Sequence, residues 1–371
     1  MGGCVRDALM GRRAKDLDIE VHLLDADALR TVLRRFGRVD EVGRAFGVFK
    51  LRLGGMELDV GLPRRDSKVG AGHTGILATP DPALGLIAAA RRRDLTINAI
   101  SWDPLTDELI DPFDGASDID ARRLRAVDAA TFAEDPLRAL RVVQFAARFA
   151  FHVDPALLEL CRTMPLGELP PERIRGEVER LLLLAPRPSV GWDVAVQAEL
   201  WARVLPAWQK PCPPAVDRIA ALPLDGQPRR LAVLLAATGN EAEVEDVLVR
   251  LQLHGWQGYA VRDQALALAR ARDHTGGDLT PATRARHLAE RLEVELFAAL
   301  TDDQALADAA KALGVGRAPL CPLIGGKDLL ALGLQPGPEV GRLLADVRRE
   351  QLDGHLVSPD AALAWARTRL R

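Results

Sequence analysis

Apolar and acidic residues alternate along Asp16-Leu17-Asp18-Ile19-Glu20-Val21. This is the period of a half-buried strand: Leu17, Ile19 and Val21 are expected to face a core, with Asp16 and Asp18 on the opposite face. Short alternating or apolar stretches recur at VFKLRL, MELDVGL, LTINAISW and ELIDPFDG, separated by glycine and proline, so the chain from Lys15 to about Val127 reads as a small sheet with helices. From about Ala133 the spacing changes to that of amphipathic helices, as in PLRALRVVQFAARF and RIRGEVERLLLL, and the rest is predicted to be all helical. Proline-rich stretches at Leu205–Pro214 and Leu222–Pro228, with Gly325–Gly326 and Gln335–Gly337, divide that half into helix pairs. Residues 62–90 are long, polar and glycine-rich, and read as a functional flexible loop in which His73 is a loop residue rather than a ligand. No fixed-period repeat appears.

At 371 residues the chain exceeds what one core usually supports, so two or more packed units are expected. With 48% hydrophobic and 27% charged residues, and no apolar run near the ~20 residues a membrane span needs, it has the composition of a soluble globular protein. The amino terminus shows no export signal, which makes the cytoplasm the default compartment. Cys4, Cys161, Cys212 and Cys321 form no C-x-x-C pair, which argues against a zinc site or a disulfide framework. A formal charge of −3 means that any nucleic-acid recognition depends on local basic patches.

Two carboxylates two residues apart on one strand face repel unless a cation lies between them, and hard oxygen ligands suit magnesium together with a nucleotide's phosphates. The competing reading is an edge strand with solvated acids, which is the commoner meaning of an isolated D-x-D. Upstream, Gly2-Gly3 precedes Val5-Arg6-Asp7-Ala8-Leu9, a tight turn opening into a helix that ends near Gly11, where backbone amides and Arg6 would cradle a triphosphate. Asp59, in Glu57-Leu58-Asp59-Val60, lies on another apparent strand, either as a third carboxylate or as an exposed strand acid.

With these residues in view, GGCVRDALMGRRAKDLDIEV resembles the signature of the tRNA nucleotidyltransferase and poly(A) polymerase superfamily, in its bacterial-type (class II) CCA-adding branch. Four later segments agree in order. Arg92-Arg93-Asp94-Leu95-Thr96-Ile97-Asn98-Ala99 is similar to the family's ribose and triphosphate motif, and Glu134-Asp135-Pro136-Leu137-Arg138 to its base-selecting motif. Pro171-Glu172-Arg173-Ile174-Arg175-Gly176-Glu177 is similar to its neck-bracing motif, and Lys327 to Pro338 to its carboxy-terminal helical segment. The resemblance implies an α+β protein: a nucleotidyltransferase α/β head with a small mixed sheet (1–127), then an all-α neck (128–185), body (186–310) and tRNA-binding tail (311–371). The family has an apolar strand just before the glycine pair, whereas Met1 directly precedes Gly2 here, so a weakly anchored triphosphate loop is expected. No His-Asp dipeptide occurs, so the phosphohydrolase domain of some relatives is not indicated.

The resemblance also implies the chemistry: addition or repair of the 3′-terminal CCA of tRNA from CTP and ATP, with no nucleic-acid template and with release of pyrophosphate. Asp16 and Asp18 would hold Mg2+, with Asp59 as a further catalytic carboxylate. Gly2, Gly3, Arg6, Asp7, Arg93, Asp94 and Asn98 would bind the nucleotide, and Arg93 ranks above Arg91 and Arg92, which read as surface arginines. In a helix starting near Glu134-Asp135-Pro136, Asp135 and Arg138 are i,i+3 neighbours and Arg141 continues their face. Asp135 would accept from the exocyclic amine of C or A while Arg138 donates to the adjacent ring nitrogen, a pattern that U and G reverse. On residues alone, that pair is an ordinary surface ion pair. Glu134, Arg173 and Glu177 would brace the neck, and the helical tail would take the tRNA acceptor stem and elbow through its backbone. Relatives adding only A, only CC, or poly(A) share these head motifs; a non-catalytic tRNA-binding module and a small-molecule nucleotidyltransferase are readings from outside that group.

Overall fold

The computed structural model describes residues 1–14, 17–41, 47–54, 56–68, 76–167, 169–274 and 279–370. Asp16 and His73 lie outside them. The chain forms two compact units, Met1–Ala220 with Arg250–Gln252, and Ala221–Val249 with Leu253–Arg371.

The first unit opens with α1 (Gly3–Leu9), β1 (Leu17–Glu20), α2 (Ala26–Leu33), β2 (Arg38–Glu41), β3 (Val48–Leu53) and β4 (Met56–Gly61). These strands form one mixed sheet in the order β1-β4-β3-β2, parallel between β1 and β4 and antiparallel elsewhere. The Asp25 side chain caps α2 by accepting from the Ala28 N–H at 2.7 Å, satisfying a donor that the first turn leaves open. Leu29 and Leu33, one turn apart, bury against Phe49, Leu51, Val60 and Leu62, each apolar side chain contributing about 1.5–3 kcal/mol.

The alternation in β1 holds but its burial does not: Leu17 and Ile19 are 45% and 41% exposed. In this sheet β1 is an edge strand with β4 as its neighbour, and the buried side chains of α2 pack on β3 and β4. Val21 alone of the three joins that core.

Next come β5 (Arg64–Lys68) and β6 (Ile76–Pro80), paired antiparallel, then α3 (Leu86–Arg91), β7 (Ser101–Asp103), β8 (Glu108–Ile110), α4 (Gly115–Asp120) and β9 (Arg123–Leu124). The stretch expected to be one long loop therefore carries a two-stranded ribbon and a helix. LTINAISW is strand only at its end; Thr96–Asn98 is a 3-10 turn, because its buried polar groups bond to neighbouring segments instead of to a ladder.

The helical part begins with α5 (Ala129–Phe132) and α6 (Leu137–Phe149), after which comes β10 (His152–Val153), which pairs with β9. It continues through α7 (Pro155–Thr163), α8 (Pro171–Leu184), α9 (Pro188–Gln197), α10 (Leu200–Val204) and α11 (Pro214–Ala220). Close contact between α6 and α9 needs Gly191, where a Cβ would stand 2.3 Å from the Val143 carbonyl oxygen. Trp192, Trp201 and Trp208 fill the core behind it, with ring centroids 4.3–5.9 Å apart.

The second unit is helical: α12 (Gln227–Ala236), α13 (Glu241–Arg250), α14 (Val261–Asp273), α15 (Pro281–Ala289), α16 (Val294–Thr301), α17 (Gln304–Leu313), α18 (Gly326–Ala331), α19 (Pro338–Asp353) and α20 (Pro359–Arg369). Among the described residues no helix is long and apolar enough to cross a membrane.

Candidate active site

Parallel pairing of β1 with β4 sets Asp18 directly opposite Asp59, and in a parallel ladder partners share a face. Lys50 of β3 is the next residue across, in register with Asp59, its Nζ 3.2 Å from Asp59 Oδ1 and 2.7 Å from Glu57 Oε1. The contact with Asp59 has the range of an ion pair without the alignment of a hydrogen bond, and Asp59 Oδ1 is buried with no hydrogen-bond partner among the described residues. A sheltered, under-satisfied carboxylate oxygen beside a second carboxylate is a donor set that fits a hard divalent cation. Without Asp16, the described residues contain no cluster of three potential metal ligands.

The glycine turn is tied down from later in the chain. Gly2 N–H donates to the Ile100 carbonyl at 2.8 Å and the Met1 nitrogen donates to the Asp18 carbonyl at 2.8 Å. Gly2 has φ 68, and a Cβ there would lie 2.5 Å from Arg93 Nη1; only glycine lets the Arg93 guanidinium pass so close. Desolvation, and then the neighbouring Arg92, pull the Arg93 pKa down, while Glu20, Asp94 and Asp18 oppose them. Among the described residues nothing accepts a hydrogen bond from that guanidinium, so it is a sheltered cation near acids with its donors open.

Its neighbours are paired with one another. Arg6, 6% exposed, donates Nε and Nη2 to Asp7 Oδ1 at 2.8 and 2.6 Å and Nη1 to Asn98 Oδ1 at 2.6 Å. Asn98 Nδ2 donates to Asp94 Oδ1 at 2.9 Å, and Arg141 Nε donates to Asp94 Oδ2 at 2.6 Å. Burial alone would raise the Asp94 carboxyl; Arg141 and Asn98 outweigh it and hold it below its ordinary value. One network thus binds α1, residues 94–98 and α6.

The base-selecting pair is arranged differently from expectation. Asp135 precedes α6 rather than sitting within it, and its side chain accepts from the Leu137 N–H at 3.1 Å, because Pro136 takes the cap position. Its carboxylate receives both Nη atoms of Arg173, at 3.2 and 2.9 Å, not Arg138. Arg138 instead donates to the carbonyls of Thr131 (2.6 Å) and Arg92 (2.7 Å). Arg173, grouped above with Glu134 and Glu177, thus meets Asp135. Glu177 is buried, pairs with Arg180 at 2.7 Å and keeps Oε2 without a partner among the described residues; burial raises its pKa, with Arg180 partly opposing.

Sequence reading missed three participants. Asp118, fully buried, receives Thr96 Oγ1 at 2.6 Å and Arg123 and Arg125 at 2.8 and 3.0 Å, pinning the turn that carries Asn98; the R-x-R alternation at 123–125 was the available signal. Lys50 beside Asp59 was visible only as one polar position in VFKLRL. Arg92, read as a surface residue, is mostly buried and 3.9 Å from Glu20, whereas Arg91 is exposed beside Asp128.

Residues 1–125 match the family model described as the poly(A) polymerase head domain. Over those residues the chain is similar to that head domain. The chain is 42% identical over 189 residues to the multifunctional CCA protein of Xylella fastidiosa, covering 49% of this chain and 44% of that one. It is 41% identical over 236 residues to the CCA-adding enzyme of Bordetella bronchiseptica, covering 61% and 62%. It thus spans roughly half the length of the curated relatives it matches. In fold it is similar to the Bacillus stearothermophilus CCA-adding enzyme in complex with CTP, with TM-score 0.75, 23% identity and coverage of 100% and 92%. It is also similar to the Thermotoga maritima CCA-adding enzyme complexed with tRNA-CCA, with TM-score 0.67, 21% identity and coverage of 100% and 90%. The α+β fold, a head followed by helices, follows from these matches.

Proposed function

We propose that this protein adds or repairs the 3′-terminal CCA of tRNA from CTP and ATP in the cytoplasm, releasing pyrophosphate. The observation that carries this reading is Arg93: a sheltered guanidinium with open donors, held against Gly2 and in the field of Asp18, suits an incoming triphosphate. Asp16 and Asp18 would hold Mg2+ beside Asp59. When bound, the ion would neutralise phosphate charge and lower the pKa of the RNA 3′-hydroxyl. Gly2 and Gly3 leave room for the phosphates, and Arg6, Asp7, Asn98, Asp94 and Arg141 fix the turn that aims Arg93 at them. Phosphoryl transfer asks the protein mainly for in-line positioning and charge stabilisation, which a preorganised network supplies.

Base choice falls to Asp135 and Arg138. Arg173 orients the Asp135 carboxylate, and Arg138 must exchange a backbone carbonyl for the base. Head, neck, body and tail at 1–127, 128–185, 186–310 and 311–371 remain the proposed working division, with the helical end gripping the acceptor stem and elbow. The test is incubation with Mg2+, labelled CTP or ATP, and tRNA transcripts lacking CCA, ending in CC, or complete. CCA synthesis on the first supports the reading; A only, CC only, or long A tails moves the protein to a relative, and no incorporation with retained tRNA binding makes it a binding module.

A further inference from the structure

Along one side of α6, guanidiniums and aromatic faces alternate. Phe145 and Phe149 stack with centroids 5.5 Å apart, and three arginines surround the Phe149 ring: Arg6 at 4.7 Å, Arg12 at 5.0 Å and Arg148 at 5.3 Å from its centroid. Arg6 has Asp7 as counter-ion, and Arg180, which also repels Arg148, has Glu177. Arg148 makes one hydrogen bond, to the uncharged Gln144 side chain at 3.1 Å. Arg12 is exposed and makes no side-chain hydrogen bond or ion pair among the described residues. Desolvation and then Arg6 push the Arg148 pKa down, with Asp7 opposing. Ring faces offset only part of such crowding, so two cations on one ring make no ion pair among the described residues.

We propose that Arg12 and Arg148 form a phosphate clamp over Phe149 for a phosphodiester of the acceptor RNA strand. Arg138 and Arg148 stand ten residues apart on α6, about 15 Å along its axis. That is more than four stacked-base steps of about 3.4 Å, so the clamp grips the strand upstream of its 3′ end and leaves the incoming nucleotide to Arg93. The inference rests on the proposed tRNA function, and the two can be told apart.

Fluorescence anisotropy of an end-labelled tRNA lacking CCA, without nucleotide, is measured for wild type, Arg12→Gln, Arg12→Lys and Arg148→Gln across a salt series, with KM for CTP in parallel. Each glutamine variant is expected to bind about tenfold more weakly, with the salt slope smaller by about 1. Arg12→Lys restores most of the affinity, because a point charge still meets a phosphate, and KM for CTP changes less than about twofold. Arg12 is exposed, so its removal does not threaten the fold, and thermal melts check Arg148→Gln. Unchanged tRNA affinity and salt slope in Arg12→Gln overturn the clamp, as does a raised KM for CTP with unchanged tRNA binding. If wild type adds nucleotides while both glutamine variants bind tRNA normally, the clamp alone falls; if wild type neither binds tRNA nor adds nucleotides, the proposed function falls with it.

Discussion

Each unit carries a buried or half-buried arginine network, and the two are balanced differently. In the second unit Arg229 donates to Glu293 and Glu295 at 2.6 and 3.1 Å, and Arg317 joins Glu295 to Asp225. Tyr259 Oη completes Glu293 at 2.6 Å. Although desolvation works against it, Glu293 and Glu295 raise the Arg229 pKa, so that network is closed around its cations. In the first unit Arg6, Asn98 and Asp94 are similarly paired and Arg141 joins them through Nε, but Arg93 beside them has its pKa lowered and makes no side-chain hydrogen bond among the described residues. A closed network holds segments together; an open guanidinium at the edge of a closed network is preorganised for an anion that arrives later.

The sharpest way to break this contrast is Asp94→Ala. It strands Arg141 and Asn98 in a buried site and is expected to cost about 3–5 kcal/mol of stability, read by denaturant unfolding, with loss of nucleotidyl transfer. Because the folded Asp94 pKa is depressed, its contribution is present above the unfolded value of about 3.9 and disappears as pH falls through the folded value; the alanine variant lacks that acid-side loss. Arg93→Ala should lower kcat/KM about 100-fold or more while the melting temperature stays near wild type, and a large drop in melting temperature instead would show Arg93 to be structural. Arg229→Ala should do the reverse, costing about 2 kcal/mol with KM for CTP unchanged. Gly2→Ala is expected to raise KM for CTP about tenfold, by placing a methyl group against the Arg93 guanidinium at a left-handed backbone position. Smallest is Glu177→Gln. The folded pKa of Glu177 is raised, so wild type loses stability as pH rises from the unfolded value of about 4.3 through the folded one, and at pH 8 the glutamine variant should be at least as stable.

Much of the head was legible in the sequence. Alternation along β1 and β4 set Asp18 and Asp59 on strands, because side-chain direction in a strand follows from local geometry. The glycine turn, α1 and the change to helical spacing near Ala133 were equally local, and so were readable. Burial was not. Leu17 and Ile19 alternate as core residues do but stay exposed, since which strands α2 covers is decided by sheet order. The pairing of Asp18 with Asp59 across 41 residues needed the parallel register, and the partner of Asp135 proved to be Arg173, on another helix, rather than the sequence neighbour Arg138. The amino-acid sequence by itself determined which residues could carry phosphate and metal chemistry, because motif spacing and period are properties of the local chain. Only the tertiary structure decided which of their charges are matched and which stand open, because hydrogen bonds form among groups brought together from distant segments, and burial makes leaving one unmatched costly.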